Sequence, residues 1–150
     1  MVSMKNPHYS GFWIRVLALV FDGLLGSVIF WLFGLLVYSS VGGMEGLMMM
    51  AMTGSVPAWI SYLQWALSIA VIAVVIYMEG ILGGTPGKLL LGLRIVNEKG
   101  DHIGIPGAIL RYIGKFVAGI ILGIGLLMVA FNVKKQGLHD KIAGTYVVYT

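Results

Sequence analysis

The chain has 150 residues, of which 59% are hydrophobic and only 11% charged; ordinary globular proteins carry roughly 45–50% and about 25%. A mean hydropathy of +0.94 argues against a compact soluble domain, because a domain this size still exposes about a third of its unfolded surface and these charges are too few to cover it. The net charge of +4 marks no nucleic-acid surface, since the basic residues form no patch interleaved with aromatics, and zero cysteines exclude a disulfide framework, a thiolate metal site and a cysteine nucleophile.

The first long apolar stretch, 16–37, holds a single charge, Asp22. A bilayer core of about 30 Å needs roughly 20 apolar residues in a helix. With Trp13 near its start and Trp31 and Tyr38 toward its end as interfacial anchors, the stretch predicts a first span over about 12–38. Its length, its central acid and the lack of an A-x-A-like site read as a retained helix, not a cleaved signal. An ionised carboxylate near the bilayer centre costs about 2.5–3.5 kcal/mol on insertion scales, so Asp22 needs a partner, water or a proton. Arg15 lies two helical turns earlier on the same face, roughly 10 Å along the axis. Ala18 and Gly26 flank Asp22 on that face, which lets a second helix approach closely.

The loop of about 39–57 contains Glu45 and no Lys or Arg. By the positive-inside rule it faces outside, and the N-terminus and the basic stretch after the second span face the cytoplasm. Met44, Met48, Met49, Met50 and Met52 leave two alternatives here: a soft thioether site suited to Cu(I), or a flexible apolar segment lying on the membrane. A second span is predicted over about 57–82, uncharged from 58 to 78. Glu79 stands near its inner end at a depth similar to Arg15. An Arg15–Glu79 bridge with Asp22 below it is the expected arrangement.

The run GGTPGK at 83–88 is not a phosphate loop. Leu82 and Leu89 stand where Gly and Ser or Thr are required, and a helix precedes it instead of a strand. It reads as the turn that ends the span, with Lys88 meeting headgroups. Beyond it, LGLRIV at 91–96 and GTYVVYT at 144–150 are β-prone runs bounded by Gly, and they are expected to pair with each other in the cytoplasm. Arg111 and Lys115, four apart, share a helix face that snorkels to the interface or meets an anionic headgroup.

A third apolar segment, about 108–133, either crosses plainly or bends at Gly119, Gly123 and Gly125 and re-enters. Lys134, Lys135 and Lys141 beyond it favour a cytoplasmic tail, hence re-entry. The pair His139-Asp140 has no nucleophile motif beside it and reads as a hydrogen-bonding anchor, with Asp140 accepting from Arg94 or Arg111.

Four motifs in order, FWIRVLALVFDGLL, GGTPGK, LGLRIV and QGLHDKIAGTYVV, resemble the RDD family of small, mostly prokaryotic membrane proteins, from about residue 12 to 149. The resemblance implies that Arg15 is the family's arginine, Asp22 its first aspartate and Asp140, in the HD pair with His139, its second. Thr85, Gly87, Lys88 and Arg94 match further family positions. It also implies transport of ligands not yet identified.

The expected fold is a membrane all-α domain over 1–150, with two spanning helices, the third segment and a small cytoplasmic β pairing. The expected role is cation/proton or small-solute exchange in the cytoplasmic membrane at Arg15 and Asp22, with Glu79 and Asp140 as further ion-pair candidates. A homo-oligomer would supply the second half that transport usually requires, since the chain has no internal repeat. The alternative is a membrane scaffold or assembly factor whose Arg–Asp network is structural. No enzymatic activity, cofactor or nucleic-acid partner is expected; the lipid bilayer and a small ion or solute are.

Overall fold

The computed structural model describes residues 7–120, 128–129, 132 and 134–150. Most of 121–133, including Gly123 and Gly125, lies outside the described residues, and with it the choice between a crossing and a re-entrant third segment. The chain divides into two compact units, one of residues 1–22 with 73–150 and one of residues 23–72.

Residues 23–72 hold parts of two long helices and a short one between them. Helix α1 (Phe12–Ser40) beyond Asp22 and helix α3 (Ala58–Tyr77) carry no charged residue and are apolar on all faces, the pattern of helices whose solvent is lipid. Two stretches, Phe12–Ser40 and Ala58–Leu90, are long and apolar enough to cross a bilayer. Only 6% and 17% of their most apolar windows are buried within the protein, so neither is the core helix of a soluble fold. Hydroxyls along them turn back onto the helix: Ser27 Oγ donates to the Leu24 carbonyl at 2.7 Å and Ser68 Oγ to the Gln64 carbonyl at 2.8 Å. That pairing removes the penalty of an unsatisfied polar group in hydrocarbon.

Between them, α2 (Gly43–Thr53) is a helix where a loop was expected. Its Leu, Met and Ala residues are strong helix formers, and glycines in the left-handed region, Gly42 and Gly54, bracket it. Met44, Met48 and Met52 are exposed at one-turn spacing. Met49 and Met50 line, with Glu45 and Trp59, an open hollow of about 570 Å³.

In the other unit, α3 runs into a π-helical turn (Met78–Leu82) that Gly83 closes by donating its N–H to the Met78 carbonyl. Thr85 is extended, and Pro86 starts the short helix α4 (Pro86–Leu90), where its missing N–H costs nothing. Strand β1 (Leu93–Val96) follows, then helix α5 (Gly104–Ile120), helix α6 (Leu138–Ile142) and strand β2 (Tyr146–Tyr149).

The two strands pair antiparallel with Leu93 opposite Tyr149 and Val96 opposite Tyr146. Tyr9 bridges Val148 on β2, so β2 lies between β1 and the N-terminal segment. Alternation along the strands gives this small sheet two buried faces. Leu93, Ile95 and Val147 pack on Ala18 of α1, and Val96, Tyr146 and Val148 pack with Tyr9. Full burial of such aliphatic side chains stabilises by about 1.5–3 kcal/mol each.

Two glycines set the helix approaches. A Cβ on Gly80 would lie 2.8 Å from the Gly104 carbonyl oxygen, so only glycine lets the π turn rest on the start of α5. A Cβ on Gly114 would lie 2.8 Å from the His139 Cα, which seats α5 against α6.

Candidate functional site

The polar residues of this second unit form two arrangements of opposite character. In the first, Asp140 sits in the opening turn of α6, where its carboxylate accepts the Gly137 N–H at 3.1 Å. Arg15, one turn into α1, donates from Nη1 to Asp140 Oδ2 at 2.5 Å, from Nε to Ser10 Oγ at 2.9 Å and from Nη2 to the Lys135 carbonyl at 2.6 Å. Arg111 on α5 donates from Nη1 to Asp140 Oδ1 and, at 2.5 Å, to Thr145 Oγ1. Asp140 and Arg111 have no exposed surface. One carboxylate thus joins the first helix, α5, α6 and the residue preceding β2.

Arg111 also faces Glu79, with Nε 3.5 Å from Oε2. The other oxygen of Glu79 accepts from two lysines, Lys88 Nζ at 2.6 Å and Lys115 Nζ at 2.8 Å. Glu79 is 1% exposed because Gly80 brings its turn onto α5. Ion pairs this deep are held by mutual attraction against a large desolvation cost, so removing one partner is far more damaging than removing both.

Charge and burial compete at α6. Burial alone pushes the Asp140 carboxyl up, but Arg111 and Arg15 outweigh it and hold the group well below the usual carboxylate range. His139, whose Nε2 lies 3.3 Å from Asp140 Oδ1, is pushed down to about 4 by burial; Asp140 opposes the shift, and Arg111, Lys115 and Lys88 add to it. Its imidazole is therefore neutral at pH 7.

The second arrangement centres on Asp22. The Thr85 hydroxyl donates to Oδ2 at 2.6 Å and the Gly87 N–H to Oδ1 at 2.7 Å. Both donors are neutral, and Asp22 is half-buried. Among the described residues, no basic side chain pairs with it. Gly87 permits the contact: a Cβ there would run into the Ala18 carbonyl and come within 3.0 Å of the Asp22 carboxylate. Gly87 of α4 thus meets α1 at Ala18 and Asp22.

The expected Arg15–Glu79 bridge does not form. Arg15 turns toward Ser10 and the start of α6, where Asp140 offers a carboxylate oxygen, and Glu79 is already engaged by Lys88, Lys115 and Arg111. Nor does Arg15 reach Asp22. Arg15, Asp140 and Glu79 nonetheless share one network, through Arg111. Lys88 joins it at Glu79, and His139 joins it at Asp140. Arg94 is exposed on β1. Among the described residues, no group of His, Asp or Glu side chains is arranged to hold a metal, and Met44, Met48, Met49, Met50 and Met52 lie in the other unit.

Arg111 is the connecting residue that sequence reasoning undervalued, as one half of a snorkelling pair. The available signal was its place inside the run AILRYIGKFV, where two cations one turn apart need carboxylates from elsewhere in the chain.

The model of the RDD family matches residues 9–144. The Bacillus subtilis protein YxaI is 37% identical over 97% of this chain and 99% of its own length. YteJ of the same organism, by name a membrane protein, is 31% identical over 94% of this chain and 81% of its own. A Mycobacterium tuberculosis protein named as a proline-rich antigen homologue is 34% identical over 63% of this chain, a region that makes up 42% of that protein. No solved structure matches.

Proposed function

The chain belongs to the RDD family, and from that premise we propose that it is a multi-pass protein of the cytoplasmic membrane that exchanges a small cation or solute against a proton at Asp22. The observation that carries this reading is the pair of neutral donors on Asp22. A carboxylate within a span, oriented by a hydroxyl and a backbone amide and not neutralised by a cation, is poised to take up a proton or an ion in turn. Arg15 does not tune it.

Topology supports the membrane assignment. Residue 9, β1 and β2 are hydrogen-bonded together and so share one side of the bilayer. The chain from residue 9 to β1 then crosses an even number of times, out along α1 and back along α3. The chain between β1 and β2 likewise makes an even number of crossings or none. The lysines and arginines that cluster beyond residue 87 favour the cytoplasm for that side, with the N-terminus. A homo-oligomer supplies the second half that exchange requires.

The closed Arg15–Asp140–Arg111 cluster favours a second reading, a non-transporting scaffold whose charges only fix packing. Purified protein and an Asp22→Asn variant in liposomes holding a pH dye separate the two. Sodium and potassium pulses are expected to change lumenal pH with the native chain and not with the variant at equal incorporation. Silence from both would transfer the assignment to the scaffold.

A further inference from the structure

The buried network is not electrically balanced. Arg15, Arg111, Lys88 and Lys115 all lie within salt-bridge distance of Asp140 or Glu79, so four cations share two carboxylates, and neutral His139 adds no charge. Two positive charges in a largely desolvated site call for an anion.

Each carboxylate is outnumbered two to one, and the end open to a ligand is that of Glu79. Around Asp140, two arginines face one carboxylate that also takes a backbone N–H, and the side chains are closed off, with Asp140 and Arg111 at 0% exposure. Around Glu79, two ammonium groups converge on the single oxygen Oε1. Each ammonium has three N–H donors and spends one there. Lys115 is 33% exposed at its side chain and Lys88 15%, so this end opens outward. Arg111 Nη2 is buried and has no hydrogen-bond partner among the described residues. Lys88 lies at the end of the second candidate span, where lysine heads reach for the interface.

We propose that the Lys88–Lys115 end of the network binds a phosphate-class oxyanion. A tetrahedral oxyanion placed against the two ammonium groups accepts their unspent N–H donors in charge-assisted bonds and cancels the excess that Glu79 leaves. Two sources carry this chemistry: the headgroup phosphodiester of an anionic phospholipid, for which basic residues at the membrane face are suited, and inorganic phosphate from the aqueous phase. The site is separate from Asp22 and does not rest on exchange there.

Thermal unfolding of the full chain in a non-ionic detergent tests this. One arm adds phosphatidylglycerol against phosphatidylcholine, and the other adds sodium phosphate against sodium chloride at matched ionic strength. A ligand bound well above its dissociation constant raises the midpoint by several degrees, and Lys115→Gln should lose at least half of that rise. A rise with phosphatidylglycerol alone identifies the lipid headgroup, and a rise with sodium phosphate identifies the free ion; either supports the site. Equal rises with the control lipid and salt, or an undiminished rise in the variant, would overturn it. Should Lys115→Gln not fold, native mass spectrometry of the unaltered protein decides: an adduct of phosphatidylglycerol or phosphate in excess over the controls supports the site, and neither adduct refutes it.

Discussion

Asp140 and Asp22 are both aspartates in an apolar protein, and they are solved in opposite ways. Asp140 is fully buried among two guanidinium groups, a backbone N–H and a neutral imidazole. Asp22 is half-buried and held by a hydroxyl and an amide. The first arrangement makes the carboxylate a structural rivet, because its loss strands two arginines. The second orients a carboxylate with neutral donors alone, as the proposed exchange of a proton or an ion requires. The difference teaches that an aspartate in an apolar protein cannot be assigned a role from its residue type; the charge of its donors decides.

The comparison breaks most visibly at Asp140. Asp140→Asn keeps the shape but leaves Arg15 and Arg111 without their shared counter-charge, and the expected loss is about 3–5 kcal/mol. Detergent-solubilised protein should show a strongly lowered unfolding midpoint or fail to accumulate folded.

Gly87→Ala comes next. The added methyl meets the Ala18 carbonyl and crowds Asp22, and overpacking of this kind costs roughly 1–3 kcal/mol. Because Gly87 N also holds Asp22, the variant should lose exchange in liposomes more completely than its lowered midpoint accounts for.

Acid sharpens the contrast further. His139 titrates at about 4 in the fold against an ordinary 6.5, so between those values the unfolded chain binds more protons than the native one. Stability is therefore full above about 6.5 and falls as pH drops through that window. Asp140, held below its ordinary 3.8, extends the loss to lower pH by the same sign. A midpoint series from pH 7 to 4 should slope downward, and His139→Gln should flatten it.

Asp22→Asn is expected to have the smallest effect on stability, below about 1 kcal/mol, because the amide oxygen still accepts the Gly87 N–H and its NH₂ can donate to the Thr85 hydroxyl. These are ordinary neutral hydrogen bonds. A midpoint near the native one with exchange abolished is the expected pair of results, and a collapse like that of Asp140→Asn would place Asp22 in the structural class.

Much of this was legible from sequence, and the boundary has a physical reason. Hydropathy exposes α1 and α3 because lipid demands continuous apolar length. The strand pairing is legible because LGLRIV and GTYVVYT are the two β-prone runs flanked by glycine. Helix α2 was missed because its methionines and glycines read equally as a loose apolar segment; only the left-handed glycines at its ends show where a helix starts and stops. The partner of Arg15 was missed for another reason. Glu79 and Asp140 were both available on composition and depth, and the choice between them is made by the N-terminal segment lying along β2, which carries Ser10 and Arg15 toward α6. Likewise TPGK reads locally as a turn, and its contact with Asp22 depends on a missing methyl facing the Ala18 carbonyl.

The pairing of Arg15 with Asp140 spans 125 residues, and this has a consequence for biogenesis. A ribosome adding about 5–20 residues per second takes on the order of 10 s to go from one to the other. Throughout that time the first helix carries an arginine whose counter-charge has not been made, and the N-terminal segment waits for the strand it will border. Glu79, Lys88, Arg111 and Lys115 all precede Asp140 in the chain, so the carboxylate that Arg15 needs is the last member of the network to be made. Chains stalled before α6 would hold Arg15 without its carboxylate.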